Sequence, residues 1–127
     1  MAKSAIDKAF EEAKEEISGL KAISAVEVDT GLAIGSLIVD QAFDLDAASA
    51  YNSEVLKAKM KAKKAMGMEK EKIDIIIIEL SSQIHLIQPT SNAKYLVYIA
   101  ADRSTTNLGI TRKIALEVGK KIEDSLK

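Results

Sequence analysis

Residues 45–66 place apolar side chains at helical spacing on two faces rather than one. Wound at about 100° per residue, Ala47, Ala48, Tyr51, Val55, Ala58, Ala62, Ala65 and Met66 fall within roughly one quadrant. Leu45, Leu56 and Met60 fall opposite. Lys57, Lys61 and Lys64 fill one gap between the stripes, while Lys59 and Lys63 lean toward the other. A surface helix of a monomer needs one apolar stripe, so the second asks for a second neighbour. In so short a chain that neighbour is another copy or a related subunit, and the pattern predicts an assembly or docking module. A competing arrangement lays the alanine stripe on the chain's own sheet and leaves Leu56 and Met60 as scattered exposed residues.

Elsewhere the periodicity changes with each segment. Ile6, Phe10, Ala13, Ile17 and Leu20 recur at spacings of four and three, which predicts an amphipathic helix. Two β-branched runs, 23–29 and 32–39, flank a turn of Asp29, Thr30 and Gly31 and predict a hairpin in which glycine supplies a positive φ. Asp44 or Asp46 is placed to cap the long helix, and Gly67 to end it. After a charged connector at 68–72 come strand-like runs at 73–80, 83–88 and 95–101, separated by Ser81-Ser82 and by Pro89-Thr90-Ser91-Asn92. These read as a meander. Ile110, Ile114, Val118, Ile122 and Leu126 lie four apart in a closing helix that starts among Ser104 to Asn107. The order α-β-β-α-β-β-β-α has no internal repeat or linker, so residues 1–127 are expected to form a single α+β domain.

Ile75 to Ile78 in succession put apolar groups on both faces of one strand, so both faces need a cover. The terminal helices on one side and the two-faced helix on the other supply it, making the sheet a middle layer. At a sheet edge this strand would be an aggregation hazard unless something paired with it. A second copy would do so.

Composition narrows the function classes. With 47% hydrophobic and 29% charged residues the chain is too apolar for a disordered segment and too charged for a membrane protein. A net charge of −1 gives no general attraction to nucleic acid or anionic lipid. Cysteine is absent, which removes disulfides and thiolate chemistry and fits a reducing compartment. The opening residues Met1 to Asp7 hold no apolar run of signal-peptide length, and no stretch reaches the length of a bilayer span. A cytoplasmic location without membrane insertion is expected.

Candidate chemistry is sparse. The single histidine, His85, alternates with Ile84 and Leu86 in a strand and reads as packed or solvated. Asp40, Asp44 and Asp46 cluster before the long helix, but without the glycine and terminal glutamate of a calcium loop they read as caps and solvated groups. Gly31, Gly35, Gly67, Gly109 and Gly119 form no phosphate-binding pattern. No catalytic constellation, metal site or cofactor is expected. Lysines between 57 and 72 form the densest basic run, and in a two-fold dimer Lys57, Lys61 and Lys64 would flank the paired helices as a docking surface for an acidic partner.

The hairpin Val28-Asp29-Thr30-Gly31-Leu32-Ala33-Ile34, the alanine-rich helix 47–66, and the later Ala101-Asp102-Arg103 with Asn107-Leu108-Gly109 resemble the roadblock domain family. That family includes the dynein light chain roadblock and the bacterial gliding-motility GTPase-activator subunit. The resemblance runs from about Ile6 to Leu126, carried by the combination rather than by any one motif. It implies a five-stranded antiparallel sheet with one helix on one face and the two terminal helices on the other. It also implies a dimer in which third strands pair into one continuous sheet and second helices pack across the two-fold. On this resemblance Tyr51 and Val55 anchor the seam, Ala58, Ala62 and Ala65 make its close contact, Ala48 shares the stripe, and Ile75 and Ile77 belong to the paired strand. The implied function is a non-catalytic regulator or scaffold, homodimeric, binding a small Ras-like GTPase. Arg103 and Arg112 are the only arginines, and neither carries a motif that marks an arginine finger. A small-ligand sensor module and a self-assembling structural subunit are the other readings, the sensor disfavoured by an aromatic content of 4%.

Overall fold

The computed structural model describes residues 2–126, with side chains from Ala5 onward. Its elements are α1 (Ala2–Glu16), β1 (Leu20–Glu27), β2 (Ala33–Ile38), α2 (Leu45–Ala65), β3 (Ile76–Glu79), β4 (Gln83–Pro89), β5 (Tyr95–Asp102) and α3 (Leu108–Ser125), in the expected order. Five strands form one antiparallel sheet in the order β2-β1-β5-β4-β3. Alternation along the central strands separates two cores. Val97, Ile99 and Ala101 of β5 face α1 and α3, where they meet Phe10 and Ile122. Leu96, Tyr98 and Ala100 face α2, where they meet Leu45 and Leu56. Both layers were expected from the sequence.

Local chemistry sets the boundaries. Asp44 accepts from the Ala47 amide and caps α2, while Asp46 sits in the first turn, where the helix dipole favours an anion. Gly67, at φ 74, turns the chain out of the helix. Asn107 caps α3 by accepting from the Ile110 amide. Gly31, at φ 73, closes the hairpin, helped by the Thr30 hydroxyl donating to Glu27 over 2.8 Å. Leu20 belongs to β1 rather than to the first helix, because Gly19 at φ 78 reverses the chain before it. Ile110 stays half-exposed, since α3 turns Thr111, Ile114, Ala115, Val118 and Ile122 inward instead.

β3 is half the length of the expected run 73–80, and the cause lies in its neighbour. Ile76 pairs with Ile87, so the next residues would meet Gln88 and Pro89. Proline has no N–H to offer, and the Gln88 side chain takes the place of a ladder bond by donating Nε2 to the Asp74 carbonyl at 2.7 Å. Residues 73–75 therefore run past the sheet as a connector.

On the α2 face, Tyr98 stacks near Phe43 and meets His85 edge-on, ring centres 5.5 Å apart. The His85 Nε2 lies 2.8 Å from Gln83 Oε1, and burial holds its imidazole below the ordinary pKa. The Tyr98 hydroxyl is buried without a hydrogen-bond partner among the described residues, and burial pushes its phenol pKa up. An orphaned buried hydroxyl costs about 1–3 kcal/mol. Tyr98→Phe keeps the ring contacts and removes that cost, so thermal melting is expected to show an unchanged or raised Tm. A lower Tm would mean the hydroxyl is paired.

Candidate interaction surface

α2 packs on β1, β2 and β5 through Leu45, Ser49, Ser53 and Leu56, all buried. Two serines on this inner face were not expected. They are tolerated because Ser49 shares a 3.1 Å hydrogen bond with Ser24 of β1 and Ser53 donates to the Ala50 carbonyl at 2.7 Å. Leu56 is 0% exposed, so the leucine side is the one that lies on the sheet, and the competing arrangement with alanines inward does not occur. The other stripe faces outward. Tyr51 is 73% and Val55 38% exposed, and Ala58, Ala62 and Ala65 are exposed beyond them. Ala48 sits between the two faces, half-buried beside the α2-side core.

β3 ends the sheet and pairs only with β4. Its outer edge carries no covering strand among the described residues. Because α2 lies over the other half of the sheet, Ile76, Ile78 and His85 remain half-buried on its side. Ile75 and Ile77 do not join the α2 row. They lean to the opposite face, against the α1 and α3 core, while Ile73 and Ile76 lean toward α2. Alternation separates Ile76 from Ile77 within β3, while Ile73 and Ile75 lie in the connector before the strand and follow no such rule.

The lysines separate on inspection. Lys57 is half-buried, and its Nζ donates to the Asp29 carbonyl at 3.0 Å and reaches Glu54 at 3.4 Å, which ties α2 to the hairpin turn. Its ammonium is occupied within the chain. Lys61 and Lys64 are exposed. Lys63, on the other flank, donates to the Glu69 carbonyl at 2.9 Å and holds the connector to the end of α2. Arg103 bonds the Leu80 carbonyl and sits 3.6 Å from Glu79, bracing the end of β3. Asp40 accepts from the Ala42 amide and from Lys21, which together keep its carboxyl below the usual range. Asp40 and Asp44 thus have structural work in turns and caps.

A cleft of about 830 Å³ lies between the connector, the β4–β5 turn and α3. Sequence reasoning missed it because its walls meet only in the folded chain. Leu56, Met60 and Ile73 contribute to its floor, and Arg112, Leu116 and Lys120 stand on one wall. Side chains tie the turn in place: Thr90 Oγ1 donates to Asn92 at 2.9 Å, and Glu123 of α3 accepts from both the amide and the hydroxyl of Ser91.

No protein-family model matches the chain, and no curated protein sequence is significantly similar to it. Solved structures are similar over nearly its whole length. The gliding protein MglB of Thermus thermophilus superposes with a TM-score of 0.83 at 12% identity, covering 98% of this chain and 90% of that one. MglB of Myxococcus xanthus gives 0.78 at 14%, covering 98% and 94%. A Roadblock/LC7 domain from Streptomyces avermitilis gives 0.78 at 16%, covering 94% and 96%. At such identities the likeness is one of fold, and the fold is that of the roadblock domain.

Proposed function

We propose that this roadblock-fold chain is a non-catalytic regulator or scaffold that forms a homodimer and binds a small Ras-like GTPase in the cytoplasm. One observation carries the reading: among the described residues nothing covers the outward row Tyr51, Val55, Ala58, Ala62 and Ala65 or the outer edge of β3. Antiparallel pairing of two β3 edges would satisfy their backbone groups, and a second subunit laid on the outward α2 row would cover its apolar side chains. Small side chains at the crossing let the helix axes approach closely and bury area with little loss of rotamer entropy. Tyr51 is the aromatic anchor that such interfaces favour. The likeness to two MglB proteins, one of them a gliding protein by name, supports a regulatory rather than catalytic role. Lys61 and Lys64, exposed on the flank of α2, supply a basic rim for the GTPase. Lys57 contributes its stem there rather than a free charge.

Pull-down of nucleotide-loaded GTPases encoded near the gene tests this. Retention of one of them, reduced by Lys61→Glu with Lys64→Glu, is the expected result. The 830 Å³ cleft is within the size range of ligand sites and favours a sensor as the second reading. Thermal stabilisation by a metabolite, with no GTPase retained, would establish the sensor in place of the regulator.

A further inference from the structure

We infer that the cleft beside α3 is a docking groove for an amphipathic helix of a partner protein, one whose apolar stripe is bordered by carboxylates on one side. The inference is independent of the proposed dimer and of the GTPase surface on α2.

Charge and shape together carry it. Positions 109, 112, 113, 116 and 120 fall within about one quadrant of α3, and all five residues line the cleft. Gly109 lowers the rim at one end, since it adds no side chain. Arg112, Lys113 and Lys120 form a basic wall around Leu116, which is 46% exposed. None of these cations is paired with a carboxylate among the described residues. Of the nearby anions, Glu123 is engaged with Ser91. The facing wall, the connector, carries Glu69, Glu71 and Asp74 with Lys72. The two walls are therefore of opposite sign, yet no ion pair spans them among the described residues.

A bound helix resolves that polarity. Its acidic edge would lie against Arg112, Lys113 and Lys120, its neutral or basic edge against the connector, and its apolar stripe over Leu116, Ile73 and Met60. This is recognition of an amphipathic helix in a groove, oriented by complementary charge. The groove is preformed on both sides, which limits the ordering cost of binding. Thr90, Asn92 and Glu123 fix the β4–β5 turn, and Lys63 and Gln88 fasten the connector through the Glu69 and Asp74 carbonyls.

The test uses the full chain and a fluorescein-labelled helical peptide with leucines at three- and four-residue spacing and glutamates along one flank. Fluorescence anisotropy at low salt should give saturable binding. Arg112→Glu with Lys120→Glu should weaken it at least about tenfold, and Leu116→Ser should weaken it without changing its salt dependence. Lys14→Glu, outside the lining of the cleft, should leave it unchanged. A peptide of the same composition with its leucines scrambled should bind at least about tenfold more weakly. Amide shift mapping on the unaltered protein gives a readout that needs no variant: perturbation of 69–75 and 109–120 is expected. Equal binding of the scrambled peptide, indifference to the Arg112 and Lys120 reversals, or shifts confined to 47–65 would overturn the inference. So would a change of oligomeric state on charge reversal, which would make a second copy the occupant.

Discussion

Tyr51→Asp is expected to convert the self-associated protein into a folded monomer. Tyr51 is 73% exposed in the protomer, so an aspartate there meets water and costs the fold little beyond a fraction of a kcal/mol of helix propensity. Across a seam of two α2 helices the same carboxylate would be buried without a partner. The cost is about 3 kcal/mol per charge, and the two-fold applies it twice, which amounts to a loss of roughly four orders of magnitude in dimerisation. Ala58→Asp acts at the close-contact part of the row, where even the added volume obstructs the approach of the helix axes. Size-exclusion chromatography with light scattering reads both changes, and circular dichroism checks that the helix content is kept. A dimer that survives both substitutions would move the seam off this face of α2.

The outcome of that experiment rests on a distinction that was partly legible in the chain before it folded. Two apolar stripes on 45–66 were visible from spacing alone. Which stripe faced the sheet was settled by volume: Leu45 and Leu56 fill space against Leu96, Ile87 and Tyr98, whereas alanines there would leave voids. Element order and the edge position of β3 were likewise within reach, through alternation, turn residues and the resemblance to the roadblock family. What spacing could not supply was anything decided by a side chain reaching outside its own element. Gln88 bonding the Asp74 carbonyl shortens β3. Lys57 reaching the Asp29 carbonyl removes one cation from the supposed docking rim. Ser49 finds Ser24 across to the sheet and so becomes an inner-face residue. The cleft is the extreme case, because its walls are supplied by the connector, a turn and α3, each unremarkable when read alone.

Leu56→Ala tests the inner face of α2 and should behave in the opposite way to Tyr51→Asp. Leu56 is fully buried, in the cluster that holds Val26, Leu45, Ile87 and Leu96. Truncation removes its transfer free energy and leaves a cavity that a sheet on one side and a helix on the other cannot close, a loss of about 2–5 kcal/mol. For a domain of this size each kcal/mol lowers Tm by about 4 °C, so a fall of roughly 8–20 °C is expected in calorimetry. Val55→Ala, one position away but half-exposed, should cost the isolated protomer under about 1 kcal/mol. Its effect should appear in the concentration dependence of Tm, because association stabilises the folded state by mass action. If Leu56→Ala and Val55→Ala lowered Tm equally at a protein concentration where only monomer is present, the two faces of α2 would not have the separate roles assigned to them. Unequal falls for the monomer, narrowing as the protein is concentrated into its dimer, would show one helix serving two neighbours: its own sheet through leucine and a second subunit through tyrosine, valine and alanine.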